Sequence, residues 1–306
     1  MTQAPTILIY GAGGVGAFFG ALLARSGHDV RFVARGAQLE ALRAGGIRIQ
    51  SALLGDMQVP TPTVHARAAE SGQADLVLVC VKTHQTDAIL DDLSAVVGEQ
   101  TILVTLQNGV ESDEVLAARF GARRVLPAVV YVGATVEAPG VVRHDAPAKI
   151  VIGARQGFDR ARVAGVRDVL AAAGQPVQIA EDIQRERWRK LIWNASFNSV
   201  SAVTLRAPGE LLALPETRAL LLEIMHEVVG VGRALGIDLR ESDVDAHVAW
   251  TERASAMRTS TMVDRERGRT MEADALVGVI VRKGREAGVD TPASRAMYAL
   301  MVASDV

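Results

Sequence analysis

Hydrophobic and polar positions in the first half of the chain alternate between short continuous apolar runs and longer stretches with helical spacing. The apolar runs are rich in β-branched residues, which is typical of parallel strands buried on both faces. Strands separated by helical segments indicate βαβ units and a parallel sheet. The runs predicted as its strands are Thr6–Tyr10, Asp29–Ala34, Asp75–Val81, Thr101–Leu106 and Arg124–Val132.

Two segments interrupt this alternation, and each predicts an inserted hairpin. The first covers Gly46–Val64, and the second covers Ala134–Gly153 with a turn at Pro139-Gly140. Proline followed by glycine is a strong turn signal. A helix over Asp159–Ala173 and a strand over Val177–Ala180 are predicted to complete this half.

From Arg185 onward the chain shows only helical periodicity. Proline and glycine positions, which end helices, interrupt it. These interruptions lie near Pro208-Gly209, Gly236, Gly268 and Gly288. We therefore predict two domains, an α/β parallel-sheet domain over residues 1–182 and an all-helical domain over residues 183–306.

Composition narrows the class of protein. Hydrophobic residues make up 49% and charged residues 22%, as in globular chains with a full core. Lys and Arg total 33 against 35 Asp and Glu, so there is no basic excess for nucleic acid or an anionic membrane. Cys80 is the single cysteine and cannot form an intrachain disulfide. With no apolar run near the ~18 residues of a membrane span and no signal-peptide pattern, we expect a cytoplasmic protein.

A glycine loop directly follows the first predicted strand and opens a helix over Val15–Ser26. In a G-x-G-x-x-G loop the first glycine allows a tight turn, the second lets backbone approach a pyrophosphate, and the third lets the helix pack on the strand. The pyrophosphate then lies at the positive end of the helix dipole. This context predicts a Rossmann-type, dinucleotide-binding domain, and an empty structural turn is the alternative. The predicted coenzyme-binding residues are Gly11, Ala12, Gly13, Gly14, Val15 and Gly16.

The residue after the second strand indicates which dinucleotide binds. An acidic residue there would accept hydrogen bonds from the ribose and favour NAD, but this chain has Arg35. A guanidinium suits a phosphate dianion. We therefore predict NADPH or NADP as the coenzyme, although a solvated arginine would leave the same pattern.

Polar residues follow two further strands. Lys82 comes directly after Asp75–Val81, and Asn108 closely follows Thr101–Leu106. Ligands of open α/β sheets bind beyond the carboxyl ends of the strands, so both residues are candidates for coenzyme and substrate contacts. A solvated lysine and a plain Asn-Gly turn remain equally open.

The first helix of the second half carries a polar stripe. Lys190, Asn194 and Asn198 are spaced by four, which places them on one helix face, and Leu191–Leu205 contains no charged residue. A buried lysine with a lowered pKa can donate a proton to the oxygen of a reduced ketone. The alternatives are a solvent-facing stripe or asparagines bonded to backbone. The neighbouring arginines are expected to be surface charges: Arg185, Arg187 and Arg189.

These motifs together resemble the ketopantoate reductases (2-dehydropantoate 2-reductases), which use NADPH to make pantoate for coenzyme A. The resemblance covers nearly the whole chain. It rests on the glycine loop and Arg35, on Val81-Lys82-Thr83 and Gln107-Asn108-Gly109, on Trp188–Leu191 with Asn194 and Asn198, and on Ser260–Asp274. It implies that Lys190 is the general acid, assisted by Glu272. It further implies that Asn194, Asn198 and Ser260 hold the substrate, and that Lys82 and Asn108 order the nicotinamide end and the substrate.

The chain departs from the family pattern at two places. Pro208 stands where family members often have an asparagine before Gly-Glu, and Ala256 and Met257 stand where a polar group can occur. Each lost substrate hydrogen bond would cost roughly 1–3 kcal/mol. A reductase for another small 2-oxo acid is therefore one alternative, and a nicotinamide-binding sensor is another. Glu272 has its own alternative, an acid in a helix's first turn.

No histidine or cysteine spacing in the sequence predicts a metal site. The apolar helices of the second half fit a homodimer interface and a core equally well. The sequence leaves open the oligomeric state, the product's stereochemistry and the choice between ketopantoate and another 2-oxo acid.

Overall fold

The computed structural model describes residues 4–254 and 257–305. The chain divides into two compact units, Met1–Ile183 and Gln184–Val306.

Within the described residues, the first unit contains a ten-stranded sheet and five α-helices. The strands are β1 (Ile7–Tyr10), β2 (Val30–Val33), β3 (Ile47–Ser51), β4 (Met57–Val59), β5 (Thr63–His65), β6 (Ala74–Val79), β7 (Val97–Thr105), β8 (Val125–Ala138), β9 (Val141–Ile152) and β10 (Val177–Ile179). The helices are α1 (Gly14–Arg25), α2 (Gly36–Gly45), α3 (Thr86–Ser94), α4 (Ser112–Phe120) and α5 (Arg160–Ala171).

The strand order is β4-β3-β9-β8-β7-β6-β1-β2-β5, with β10 paired to β9. From β8 to β5 along this order all neighbours are parallel, whereas β8–β9 and β3–β4 are antiparallel. Strand β1 is apolar at every position because both of its faces are covered. Ile7 and Ile9 pack into one core cluster, while Leu8 and Tyr10 pack into another on the opposite face of the sheet. A strand covered on both faces has no position for a solvated side chain.

The structure confirms the α/β fold class and corrects two element assignments. The predicted strand Arg124–Val132 and the first arm of the second hairpin form one strand, β8. The pattern changes within it because residues 125–127 pair with β7 and the rest pair with β9, with register shifts around Gly133. The predicted insertion Gly46–Val64 contains the β3–β4 hairpin, but the following segment Thr63–His65 pairs with β2 and extends the parallel sheet.

The second unit is helical throughout its described residues, as the sequence predicted. Its α-helices are α6 (Ile183–Trp193), α7 (Ser199–Thr204), α8 (Pro208–Ala213), α9 (Pro215–Ala234), α10 (Glu241–Arg253), α11 (Ser260–Glu266), α12 (Val279–Ala287) and α13 (Pro292–Ser304). Helix α9 contacts α8, α10, α12 and α13 and is the central helix of this unit. None of the described helices is both long enough and apolar enough to cross a bilayer.

Two π-helical segments, Asn194–Asn198 and Asp274–Gly278, were not predicted. The first continues α6 into α7, and the second leads into α12. The two segments contact each other. Such π turns are rare and occur frequently at functional sites.

Candidate active site

The carboxyl ends of four adjacent parallel strands form one edge of the sheet. The order β2-β1-β6-β7 aligns Val33, Tyr10, Val79 and Thr105 in register. A predicted site residue follows each of these ends. In strand order these are Arg35, Gly11, Lys82 and Asn108. The structure therefore brings the predicted coenzyme-binding positions to one edge, about 4.8 Å apart per strand.

The glycine loop has the backbone that its motif requires. Gly11 has φ +102°, and its N–H donates to the carbonyl of Val33 at 3.1 Å. A Cβ on Gly16 would collide with the carbonyl oxygen of Gly11, so this glycine allows helix α1 to pack closely on β1. A Cβ on Gly13 would meet nothing within 4 Å, which leaves open space beside the loop.

The start of α1 fits a pyrophosphate. The helix begins at Gly14 without a side-chain cap and has no acidic residue in its first turn. No carboxylate in the first turn of α1 therefore competes with a bound phosphate for the free N–H groups and the positive end of the helix dipole. Position 14 also requires a glycine, although the motif does not demand one there, because a Cβ would collide with the carbonyl oxygen of Ala134.

Gln38 supports this loop and was missed by the sequence reasoning. Its Nε2 donates to the carbonyl of Ala12 at 2.8 Å, and its Oε1 accepts from the N–H of Gly140 at 3.0 Å. The side chain thus ties the glycine loop to the β8–β9 turn. A single glutamine on a helix gives no signal in the sequence that would have revealed this role.

Arg35 is exposed and directly precedes α2, which has no acidic residue in its first turn. The charge of Arg35 acts on the neighbouring Tyr10 by lowering the pKa of its hydroxyl. Two larger effects raise that pKa, namely burial and the hydrogen bond that the hydroxyl donates to Asp92 at 2.8 Å. The carboxylate of Asp92 also accepts from the N–H of Ala68 at 2.8 Å. The guanidinium is thus an accessible positive charge at the end of β2.

Lys82 and Asn108 are both partly buried, and buried Gln107 connects their loops. Its Nε2 donates to the carbonyl of Val81 at 3.1 Å and to the hydroxyl of Thr86 at 2.9 Å. Gln107 thereby holds the segment after β7 against the segment after β6. Gln107 directly precedes Asn108 in Gln107-Asn108-Gly109, but nothing in that sequence indicated that its side chain holds the two loops together.

In the second unit, Asn194 and Asn198 are the ends of the first π segment. In a regular α-helix, residues four apart differ in direction by about 40° around the helix axis, so Lys190, Asn194 and Asn198 would gradually move away from one face. A π turn contains more residues, so the step from Asn194 to Asn198 falls short of a full turn and brings Asn198 back toward the direction of Lys190. Asn194 and Asn198 are 4% and 2% exposed. The alternative that the polar stripe faces solvent is therefore wrong for both asparagines.

Among the described residues, Oδ1 of Asn198 has no hydrogen-bond partner although it is buried. An unsatisfied buried amide oxygen costs free energy, and a ligand with a donor group would satisfy it. Two serine hydroxyls bond to the backbone at this segment: Ser196 donates to the carbonyl of Ile192 in α6 at 2.8 Å, and Ser199 donates to the carbonyl of Ala195 in the π segment.

Lys190 has the electrostatics of a proton donor near neutral pH. It is partly buried at the end of α6. Burial lowers the pKa of Lys190 to about 8, and the carboxylate of Glu272 partly opposes that shift. Glu272 is 4% exposed and directly precedes Ala273, the first residue of the helical stretch that contains the second π segment. The backbone carbonyl of Glu272 accepts from the N–H of Leu276 at 3.1 Å, so the residue stands at the start of that stretch, and the helix dipole remains a second explanation for this acid.

Ser260 is exposed and is the first residue of α11, which contacts both the first π segment and α7. Thr259 caps this helix through a bond from the N–H of Met262 at 3.2 Å. Ala256 lies outside the described residues, whereas Met257 is partly buried.

The expectation that the arginines of α6 are surface charges is wrong for Arg187, whereas the side chains of Arg185 and Arg189 are 25% and 38% exposed. Arg187 is 3% exposed and donates to Oε1 of Gln184 at 2.9 Å. Arg185 and Arg189 both form ion pairs with buried Asp243 of α10. Within the described residues, no group of three or more His, Cys, Asp or Glu side chains could hold a metal ion.

A Rossmann-type sheet with a glycine loop, together with a helical unit that carries a lysine of lowered pKa, defines an oxidoreductase with a nucleotide-binding fold. Residues 7–157 match the family model described as ketopantoate reductase PanE/ApbA, and residues 182–304 match its C-terminal counterpart. The chain belongs to the ketopantoate reductase family.

Individual relatives agree with this assignment. The chain is 33% identical to a 2-dehydropantoate 2-reductase of Mesorhizobium japonicum, over 96% of each protein. The crystal structure of 2-dehydropantoate 2-reductase from Geobacter metallireducens superposes with a TM-score of 0.93 at 32% identity, over 98% of this chain and 99% of that one. A ternary structure of D-mandelate dehydrogenase with NADH and anilino(oxo)acetate has a TM-score of 0.90 over 98% of each chain. At 21% identity, that likeness shows a common fold alone.

Proposed function

We propose that this protein reduces 2-dehydropantoate (ketopantoate) to pantoate with NADPH, by hydride transfer to the keto carbon. The reaction consumes one proton, and the products are pantoate and NADP. The observation that carries the proposal is the environment of Lys190, whose pKa is lowered to about 8 by burial while Glu272 opposes the shift. A general acid works best when its pKa lies near the working pH.

The first unit would bind the coenzyme. The open space at Gly13 and the uncapped start of α1 suit the pyrophosphate, and exposed Arg35 suits the 2′-phosphate that distinguishes NADPH from NADH. Lys82 and Asn108 would contact the nicotinamide end and the substrate. When bound, NADPH supplies the hydride.

The second unit would hold and protonate the substrate. Lys190 would donate its proton to the ketone oxygen as negative charge develops there, and Glu272 would keep the ammonium charged. Asn194, Asn198 and Ser260 would hold the substrate, for which the unsatisfied Oδ1 of Asn198 offers an acceptor. We assign these two roles to residues 1–182 and 183–306, respectively.

Reduction of a different small 2-oxo acid is the second candidate, and Pro208 favours it. Pro208 is a buried first residue of α8 and offers no side-chain hydrogen bond where the family often has asparagine. Met257, which is partly buried, also favours the second candidate, because it stands where a polar group can occur in the family. Either substitution would suit a substrate that lacks the hydroxyl group of ketopantoate.

One assay separates these candidates. NADPH oxidation is followed by absorbance with ketopantoate and with a panel of aliphatic and aromatic 2-oxo acids, and NADPH binding is measured in parallel. We expect the highest kcat/KM with ketopantoate. Turnover only with other acids would transfer the proposal to the second candidate, while binding without any turnover would indicate a sensor.

Lys190→Ala tests the proposed acid within the same assay. Removal of a general acid should lower kcat by about 10²–10⁴-fold while NADPH still binds. Lys149→Ala is the control, since that lysine lies over the ring of Tyr131 in the first unit. A loss below tenfold for Lys190→Ala would remove Lys190 from the mechanism.

A further inference from the structure

Helices α6 and α10 are joined by polar contacts at every fourth residue of both helices. Nη2 of Arg185 donates to both carboxylate oxygens of Asp243 at 3.2 Å. Nε2 of His247 donates to the backbone carbonyl of Arg189 at 2.8 Å. Nε1 of Trp193 donates to Oγ1 of Thr251 at 2.9 Å. We call these three contacts the α6–α10 ladder.

Each rung of the ladder joins residues that are 58 positions apart. A constant offset means that the two helices run in the same direction and remain in register over two turns. Residues spaced by four lie on one helix face, so the ladder uses a single face of each helix. One contact would leave α6 free to rotate or slide, but three in register oppose both movements.

The ladder contains two buried residues and is internally connected. Asp243 is 7% exposed and Thr251 is fully buried. Asp243 additionally pairs with Nε of Arg189 at 3.4 Å, and the hydroxyl of Thr251 donates to the carbonyl of His247 at 2.8 Å. Buried polar groups that lose a partner are costly, so this interface favours one arrangement of the two helices.

The position of the ladder relates it to the candidate acid. Lys190 follows Arg189 directly and lies about 100° around the helix from it. The ladder face therefore adjoins the face that carries Lys190, and its last rung, Trp193, directly precedes the π segment. Rotation of α6 about its axis would carry the ammonium of Lys190 away from Glu272.

We propose that the α6–α10 ladder sets the rotation of α6 and thereby holds the ammonium of Lys190 in its place beside Glu272. Asp243, His247 and Thr251 are positioning residues, because they act on Lys190 only through the helix. The inference rests on the proposed role of Lys190 as the proton donor.

Thr251→Val tests the inference, because valine keeps the shape of the side chain and removes the acceptor for Trp193. The pKa of Lys190 is measured first without catalysis, from the pH dependence of its labelling by acetic anhydride, quantified by peptide mass spectrometry. We expect the apparent pKa to shift by at least 0.5 unit and kcat to fall about tenfold or more, with the Kd for NADPH unchanged. Thr251→Ser, which keeps the hydroxyl, should restore both values.

Thr217→Val is the matched control. Thr217 lies on α9, and its hydroxyl donates to the carbonyls of Leu211 and Leu214, neither of which belongs to α6 or α10. It should lower the Tm without moving the labelling profile of Lys190. If Thr251→Val behaves in the same way, the ladder is only structural and the proposal is wrong.

Failure of the proposed function would look different. A wild-type protein without turnover, whose Lys190 labelling still shifts in Thr251→Val, would refute the reductase while supporting the ladder. Should Thr251→Val not fold, Asp243→Asn removes the charge of the first rung and keeps an oxygen for the N–H of Arg240 that it caps. The same labelling shift is then required of that variant, and its absence overturns the proposal.

Discussion

The carboxylate of Glu272 lies within Coulombic range of the ammonium of Lys190 and raises its pKa against the larger lowering by burial. Both side chains come from the second unit, where Lys190 lies about one turn before the first π segment and Glu272 lies two residues before the second. Burial thus lowers the pKa of the ammonium, and the adjacent negative charge opposes part of that shift, so that Lys190 is mainly protonated near pH 7.

Glu272→Gln should move the pH profile of kcat. The protonated form of Lys190 is the proposed donor, so activity is present below its pKa and is lost as the pH rises through about 8. Loss of the carboxylate removes the interaction that raises this pKa, and the basic limb should therefore move to lower pH. Glu286→Gln, at an exposed position of α12, should leave the limb in place. A basic limb that stays near pH 8 in Glu272→Gln would contradict the pairing.

Arg35→Ala should weaken NADPH much more than NADH. The lost guanidinium would contact only the 2′-phosphate, and a hydrogen bond between charged groups contributes about 1.5–3 kcal/mol, which corresponds to a rise in Kd of roughly tenfold to a hundredfold. Titration calorimetry with both coenzymes measures the difference. Arg43→Ala, at an exposed position near the end of α2, is the control. Equal effects on the two coenzymes would exclude Arg35 as the phosphate ligand.

Two glycine substitutions should separate folding from binding. Gly16→Ala places a Cβ against the carbonyl of Gly11 and should destabilise the first unit. Gly13→Ala meets no protein atom within 4 Å, so its Tm should stay near that of the wild type. Its Kd for NADPH should nevertheless rise at least tenfold, because the Cβ would occupy the approach of the pyrophosphate. Tight binding by Gly13→Ala would show that the pyrophosphate lies elsewhere.

Glu227→Ala should destabilise the second unit. The two carboxylate oxygens of Glu227, on α9, accept from the N–H groups of Ala293 and Ser294 at 2.7 Å and thus cap the start of α13. Loss of such a cap should lower the free energy of unfolding by about 1–2 kcal/mol, measured by urea denaturation. Glu223→Ala changes an exposed glutamate one turn earlier in α9, and it should cost clearly less if the cap is responsible.

Local patterns in the sequence were sufficient for the fold class, for the glycine loop and for the polar residues at the strand ends. These features depend on spacing within a strand, a loop or a helix turn. The apolar run of β1, for example, directly reflects a strand covered on both faces. The lysine–asparagine stripe was also readable, because residues spaced by four share a helix face.

Tertiary structure decided the rest, because it depends on which distant segments pack together. The pairing of Thr63–His65 with β2, the support of the glycine loop by Gln38 and the capping of α13 by Glu227 all join segments far apart in the chain. The two π segments were not evident in the local sequence pattern, and they contact each other although they are about 80 residues apart in the chain. The arginines of α6 show the same limit. Their charge is evident in the sequence, but the buried aspartate that binds two of them lies on another helix.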